Sequence, residues 1–430
     1  MRGARVIVLA LVGLVLGACA TGQTQPAGAP PPAPPAIPPA VTPLAVTPLA
    51  PSKAQGQAVP WRLISAREAA DMRHLIVTVQ GTRGEAAVRR AAELAEDLGR
   101  AHGLELVAEW PLGSIDVHCL VFRVADPGRR ATVLAALARD PRVRTAQPMQ
   151  SFRTFARTTG GNLEALQSSL SAMDVPAAHR VATGRDVRVA IIDTGLDTAH
   201  PELVGRLEPV RDLVGTEGAA PAEHHGTALA GVIGAEAASG QGVTGVAPDA
   251  MLVGLRACWE DRPGAQGRCS SFSLARALNL AIVQQVDVIN LSLAGPPDPL
   301  LEELVQAAIA ADIVVVAAWP SGSDRAFPGH VEGVLPVGTA EDPAPGPPLV
   351  APAIDVLTTA PGGGFDFVSG RSVATAHVTG LVALLREVRP GLSPADVRSA
   401  VLGRAVDRRA DACGALLAVL DSGSPATCRP

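Results

Sequence analysis

The chain has no tyrosine, seven phenylalanines and four tryptophans in 430 residues, and a single lysine, Lys53. Its arginines are scattered among carboxylates, and the net charge is −5. A basic nucleic-acid footprint is therefore excluded, and so is an aromatic surface for stacking bases. No CxxC or HExxH pattern occurs, so no metal motif is legible. The longest apolar run near the start, Val6 to Leu16, is too short to span a bilayer. What is abundant is apolar residues, 47 % of the chain, enough for a large core and two or three domains.

Arg2 and Arg5 precede the Val6–Leu16 run, as in a signal peptide. The run ends in Leu16-Gly17-Ala18-Cys19, which resembles a bacterial lipobox. That resemblance implies cleavage after residue 18 and lipid on Cys19. With Ala20 next, it implies an outer-membrane anchor on the periplasmic or surface side. In such an oxidising compartment disulfides are allowed. Residues 19–70 are rich in Pro and Ala, with Ala-Val-Thr-Pro-Leu twice in tandem at 40–49. Such a stretch builds no core and extends at about 3.1 Å per residue, so it reads as a tether.

Between 71 and 152 the pattern becomes regular. Strands are expected at 74–79, 104–110, 117–124 and 143–148, and helices at 85–102 and 129–139. The order β-α-β-β-α-β is the split, ferredoxin-like α+β arrangement. Cys119, in a strand, is expected to be a buried thiol. After a connector at 153–184, apolar strands at 188–195, 252–257, 286–293, 313–319, 334–339 and 354–359 alternate with helices at 227–238, 272–284, 300–311, from 372 and at 394–402. This predicts an α/β domain over 185–405, a doubly wound and mostly parallel sheet, then a tail at 406–430. Functional residues of such sheets lie at strand C-ends and helix N-ends.

Three groups fall at such places: Asp193 ends a strand, His225 opens a helix and Ser372 opens another. A serine hydroxyl needs a base, histidine is that base near neutrality, and a carboxylate fixes its tautomer. Read alone, Ser372 is first a plain N-cap, and His224 stands beside His225 as a rival base. The surrounding residues resemble the subtilisin-like serine peptidases in ordered blocks. These are Asp193-Thr194-Gly195 through His200-Pro201-Glu202-Leu203, His225-Gly226-Thr227 through Gly231, Gly245-Val246-Ala247-Pro248, Val288 through Leu293, and Gly370-Arg371-Ser372 through His377-Val378 and Gly380. The resemblance covers roughly 165–405.

The resemblance implies a serine endopeptidase that works through an acyl-enzyme, with Asp193 orienting, His225 as base and Ser372 as nucleophile. His225 is favoured over His224 because Gly-Thr follows it, and His200 and His377 are expected to be structural. Residues Leu291, Ser292, Leu293, Ala294 and Gly295 resemble the strand on which the family lays an extended polypeptide substrate. The small domain at 71–152 resembles the family's pro-region, a folding helper and intramolecular inhibitor, with 142–152 as its last strand and inhibitory tail. Self-cleavage near 150–165 would free the catalytic domain from its anchor. The family holds structural calcium, but no ligand set is legible here, and no other cofactor is implied.

The pattern breaks at the oxyanion hole. Where the family carries Ala-Ala-Gly-Asn, this chain reads Ala317-Ala318-Trp319-Pro320-Ser321-Gly322-Ser323, and Arg371 replaces the usual Thr before the serine. Loss of one oxyanion donor costs roughly 10²–10³ in rate. Replacement donors are sought in Ser321, Ser323 and Arg371, beside the backbone of Ser372. The alternative is a weakened or inactive peptidase fold retained as a peptide-binding or scaffold lipoprotein. Disulfides are expected for Cys258 with Cys269, across a polar loop, and for Cys413 with Cys428, stapling the tail.

Overall fold

The computed structural model describes residues 63–69, 71, 73–80, 85–154, 157–158, 167–215, 219–236, 242–319, 326–342, 348–420 and 428. The expected signal peptide, Cys19, most of the tether, Ser321 and Ser323 lie outside them.

The first layer comprises α1 (Ala66–Ala69), β1 (His74–Gln80), α2 (Glu85–His102), β2 (Leu104–Leu112), β3 (Val117–Val124), α3 (Arg130–Leu137) and β4 (Val143–Pro148). Its strands form an antiparallel sheet in the order β2-β3-β1-β4, the ferredoxin-like arrangement. Alternation along the strands divides the side chains between two faces. Leu75, Val77, Leu120 and Phe122 meet Ala91, Ala95 and Leu98 of α2. The opposite face, with Ile76, Trp110, Val117, Cys119 and Val121, enters a second core shared with the following domain.

The chain continues through β5 (Ser151–Thr154), β6 (Arg157–Thr158), α4 (Ser168–Ala172) and α5 (Val175–Ala178) into β7 (Arg188–Asp193) and β8 (Arg211–Asp212). There follow α6 (His224–Gly234), β9 (Met251–Arg256), β10 (Cys258–Trp259), β11 (Arg268–Ser270), α7 (Ser271–Val283), β12 (Val288–Leu291), β13 (Leu293–Ala294) and α8 (Pro299–Ala310). The remainder is β14 (Val314–Ala318), β15 (Leu335–Gly338), β16 (Leu349–Val350), β17 (Val356–Ala360), β18 (Gly364–Ser369), α9 (Arg371–Val388), α10 (Pro394–Gly403) and α11 (Ala412–Val419). Seven strands form a parallel sheet in the order β16-β15-β14-β12-β7-β9-β8, with helices on both faces. Strands such as Val189–Ile192 and Val314–Ala318 are buried throughout, as a sheet covered on both sides requires.

Three expectations change. The strand expected at 354–359 is not in the parallel sheet: β17 pairs antiparallel with β18 as a hairpin leading into α9. An apolar run reports burial and is silent about which edge it pairs with. The tail is not peripheral, because Ala412, Cys413, Ala415 and Leu416 of α11 sit in the main core beside Leu381 and Leu384 of α9. Finally, Cys413 and Cys428 are buried free thiols, and the Cys428 thiol lies 3.6 Å from the Cys413 carbonyl oxygen. Cys258 and Cys269 are bonded, as expected, and are direct cross-strand partners in β10 and β11. Cys119 is a buried thiol.

The first layer docks through its open face on α7 and α8. Trp110 meets Phe272 edge to face, with ring centroids 4.7 Å apart. Gln147 donates to Asp298 Oδ1 at 2.6 Å and Ser271 donates to Oδ2 at 2.5 Å. Asp298 also caps α8, accepting from Leu301 N–H at 3.1 Å. Arg144 pairs with Glu303 at the rim. Ahead of the sheet, Arg67 lies over the Trp259 ring at 5.6 Å.

Candidate active site

Asp193 closes β7 in the middle of the parallel sheet and is fully buried. Its Oδ1 lies 2.5 Å from His225 Nδ1 and also accepts the Thr194 N–H at 2.7 Å. The turn after Asp193 is stitched to α6: Gly226 N–H donates to Thr194 Oγ1 at 2.8 Å, and Asp197 N–H donates to Thr227 Oγ1 at 3.0 Å. His225 is thus the imidazole that meets the carboxylate; His224 lines the adjoining cavity with Glu260, Thr359 and Asp366. An imidazole tied to a carboxylate through Nδ1–H presents Nε2 as a base.

Ser372 is the second residue of α9, so it is not the N-cap; that position is Gly370, at φ 143°, a conformation open to glycine. The Ser372 carbonyl accepts from Ser292 Oγ at 3.0 Å. Asn290 bonds both Ser292 and, at 2.9 Å, Thr379 of α9, which bolts the helix to the end of β12. N–H groups in the first turn of a helix lack intrahelical partners and carry partial positive charge, which suits a developing oxyanion.

Helices α6 and α9 pack on each other. Among the described residues, His225 Nε2 and Ser372 Oγ are buried polar atoms with no hydrogen-bond partner. Leaving such atoms unpaired costs about 1–3 kcal/mol each, and functional sites are where such exceptions gather.

His200 and His377 are held elsewhere. His200 Nε2 donates to the Gly364 carbonyl at 2.8 Å, and its Nδ1 accepts the Glu202 N–H. His377 Nδ1 donates to the Val373 carbonyl at 3.0 Å within α9, and burial lowers its pKa to about 4. Arg371 does not extend a free guanidinium: Nε donates to Asp342 Oδ1 at 2.6 Å and Nη2 reaches the same oxygen. Asp342 is buried and also accepts the Thr339 N–H, so it draws in the nearest cation. The guanidinium sought as an oxyanion donor is thus engaged by Asp342 in this structure.

Of the five residues expected to bind substrate, Leu291 ends β12 and Ser292 supports Ser372, whereas Leu293 and Ala294 form β13. The partner of β13 is the chain itself. β5 lies antiparallel between β13 and β11, with Leu293 opposite Thr154, Ala294 opposite Arg153 and Cys269 opposite Phe152. Phe152 is buried, its ring 5.6 Å from that of Phe327. A Cβ on Gly295 would lie 2.0 Å from the Phe152 ring, so glycine makes the room for it. β6 then pairs with β18, Arg157 opposite Ser369, three residues before Ser372. β5 and β6 are thus each paired to the catalytic part, β5 to β13 and β6 to the strand that leads into α9.

Several residues around His225 escaped sequence reasoning. Glu223 accepts from Gly195 N–H at 2.7 Å and from Glu260 N–H at 3.0 Å, and pairs with Arg256 through Nε at 2.7 Å. Arg256 in turn pairs with Asp212 at 3.1 Å. Glu260 accepts the His225 N–H at 2.9 Å. A carboxylate two residues before the candidate base was the available signal.

This is the fold of a serine-peptidase domain of the subtilisin type. Residues 184–417 match the Subtilase family, and the chain belongs to that family. It is 34 % identical over 243 residues to Subtilisin BL of Lederbergia lenta, spanning 54 % of this chain and 87 % of that protein. It is also 34 % identical over 238 residues to an intracellular serine protease of Paenibacillus polymyxa, spanning 50 % of this chain and 71 % of that one. Among solved structures, fervidolysin from Fervidobacterium pennivorans, a keratinolytic enzyme related to subtilisin, shares the fold with a TM-score of 0.64 at 19 % identity. That match takes in 85 % of this chain, which spans 63 % of the length of fervidolysin. The family match continues past residue 405 into α11, in keeping with the burial of that helix.

Proposed function

We propose that the chain is a serine endopeptidase that uses Ser372, His225 and Asp193. The Ser372 Oγ attacks a peptide carbonyl carbon while His225 Nε2 takes its proton, and Asp193 holds the imidazolium that forms. The tetrahedral oxyanion is met by the Ser372 backbone N–H at the head of α9. Collapse breaks the C–N bond, His225 returns the proton to the leaving amine, and water hydrolyses the acyl ester by the same proton route. The observation that carries this reading is the 2.5 Å Asp193–His225 pair, whose imidazole keeps Nε2 unpaired.

The first layer, 71–152, acts as the chain's own pro-region. It covers α7 and α8, and β5 fills the strand position that a substrate would take between β11 and β13. Cleavage of the chain's own backbone is expected between Thr154, the last residue paired in β5, and Arg157, which pairs with Ser369 three residues before Ser372. Upstream, residues 1–18 act as an export signal and Cys19 as the lipid attachment point. The catalytic part then starts on an outer-membrane tether and leaves it on cleavage.

N-terminal sequencing of the purified catalytic fragment tests this. Wild type yields an end between residues 155 and 157, and Ser372→Ala stays intact; equal processing in both would defeat the proposal. A second reading, a weakened or silent peptidase fold that binds peptides, is favoured by Trp319 and Pro320 standing where the family's oxyanion turn carries Gly and Asn. It predicts intact chains in both variants.

A further inference from the structure

We propose that Glu260 is a positioning residue that sets both the place and the proton affinity of His225; this rests on the reading of His225 as the base. His225 lies in the first turn of α6, where unpaired N–H groups leave partial positive charge that disfavours an imidazolium. The residue placed to cap that turn, Glu223, makes no side-chain cap bond. Its carboxylate instead receives Gly195, Glu260 and Arg256, and its charge is answered by the Arg256 guanidinium. Glu260 fills the vacated role from 35 positions away. Its Oε1 takes the His225 N–H at 2.9 Å and its Oε2 takes the Gly264 N–H at 2.8 Å.

The carboxylate is therefore held at both oxygens, buried, on a hairpin closed by the Cys258–Cys269 bond. A negative charge at that N–H offsets the helix end and favours the protonated imidazole. The other charged groups around His225 are Asp193 on β7, Glu223 and His224 on its own segment, Arg256 behind Glu223 on β9, and Asp366 on β18 across the cavity. Of these, Asp193 orients the ring through Nδ1 and Glu223 is neutralised by Arg256, which leaves Glu260 as the carboxylate bonded to the backbone of the base itself. Burial raises the Glu260 carboxyl above its ordinary range, against the pull of its two N–H donors.

The test is the titration of the His225 ring in full-length protein by NMR with labelled histidine, in wild type and Glu260→Gln, beside the acid limb of kcat/KM on a small ester. Losing the negative charge should lower the His225 pKa and move the acid limb down by roughly half a pH unit, from the size of helix-terminus charge effects. kcat should fall several-fold with KM unchanged. Glu260→Asp, which keeps the charge on a shorter arm, should restore the limb while kcat stays reduced. An unmoved His225 titration in Glu260→Gln, or a limb in Glu260→Asp displaced as far as in the amide, overturns the inference. Should Glu260→Gln fail to fold, Glu260→Ala is read in its place, with the same lowering of the His225 titration expected and an unmoved titration overturning the inference. A wild type that titrates normally at His225 yet hydrolyses no ester would defeat the peptidase reading and leave this one to be judged on the ring titration.

Discussion

The two ends of the site are built differently. Around Asp193 and His225 the backbone and the supporting carboxylates are tied together: the Asp193 turn, α6, β9 and the disulfide-closed hairpin share bonds running Thr194–Gly226, Gly195–Glu223, Glu223–Arg256 and Glu260–His225, while Asp193 Oδ2 and His225 Nε2 stay unpaired. At the other end Ser372 is fixed through its backbone by Ser292, and its hydroxyl is left without a partner. The acid and base are pre-organised at the cost of burying several charges. The nucleophile sits at a helix N-terminus whose remaining hydrogen-bond capacity suits an incoming carbonyl. The acid–base end is braced by a network of charged groups and the serine end by a single backbone bond, and each keeps a reacting atom, His225 Nε2 or Ser372 Oγ, without a partner.

The largest effect should come from the rigid end. Asp193→Asn keeps the packing but favours the wrong imidazole tautomer, so kcat/KM should fall about 10⁴-fold with little change in KM. A loss below tenfold, measured on a small ester, would mean that the carboxylate is not what orients His225. Next, Arg256→Leu strands the buried Glu223 carboxylate and should cost about 3–5 kcal/mol in urea-melt stability. A loss below about 1 kcal/mol would show that the acid–base end does not depend on the ion network.

The serine end should be marked by pH. His377 in α9 is buried, with a folded pKa of about 4 against 6.5 as the ordinary value. Between those values the unfolded chain binds a proton that the folded chain refuses, so stability falls as pH drops from 6.5 toward 4 and levels off below. The loss amounts to roughly 3 kcal/mol, and His377→Gln should flatten that part of the melt-versus-pH curve. An unchanged slope would remove His377 from the account. The smallest effect is expected from Arg371→Ala. With its guanidinium on Asp342, kcat/KM should change far less than the roughly 10²–10³-fold that loss of an oxyanion donor costs. A loss of that size would return Arg371 to the oxyanion hole.

The parts of this arrangement legible in the sequence are those with local signatures. Asp193 ends an apolar strand, and Gly226-Thr227 after His225 distinguishes it from His224, because the Gly226 N–H and the Thr227 hydroxyl are what bind the Asp193 turn. The ferredoxin-like order could be read from periodicity, and Cys258 with Cys269 from the polar loop between them. What escaped reading depends on contacts across long separations. Glu260 is 35 residues from His225 and announces itself by no spacing. β17 is buried along nearly all its length, as a parallel strand is, so burial does not reveal its antiparallel partner. α11 resembles a tail until its packing against α9 is seen, and the presence of Cys413 and Cys428 does not by itself tell a disulfide from two buried thiols.

The claim on which the account depends is that Ser372 is activated by His225. Fluorophosphonate labelling of processed protein, followed by peptide mapping, tests it most directly. The account predicts one adduct, on Ser372, lost in His225→Ala and growing with pH as the imidazole loses its proton. Absence of an adduct on Ser372, or labelling that persists undiminished in His225→Ala, would contradict it.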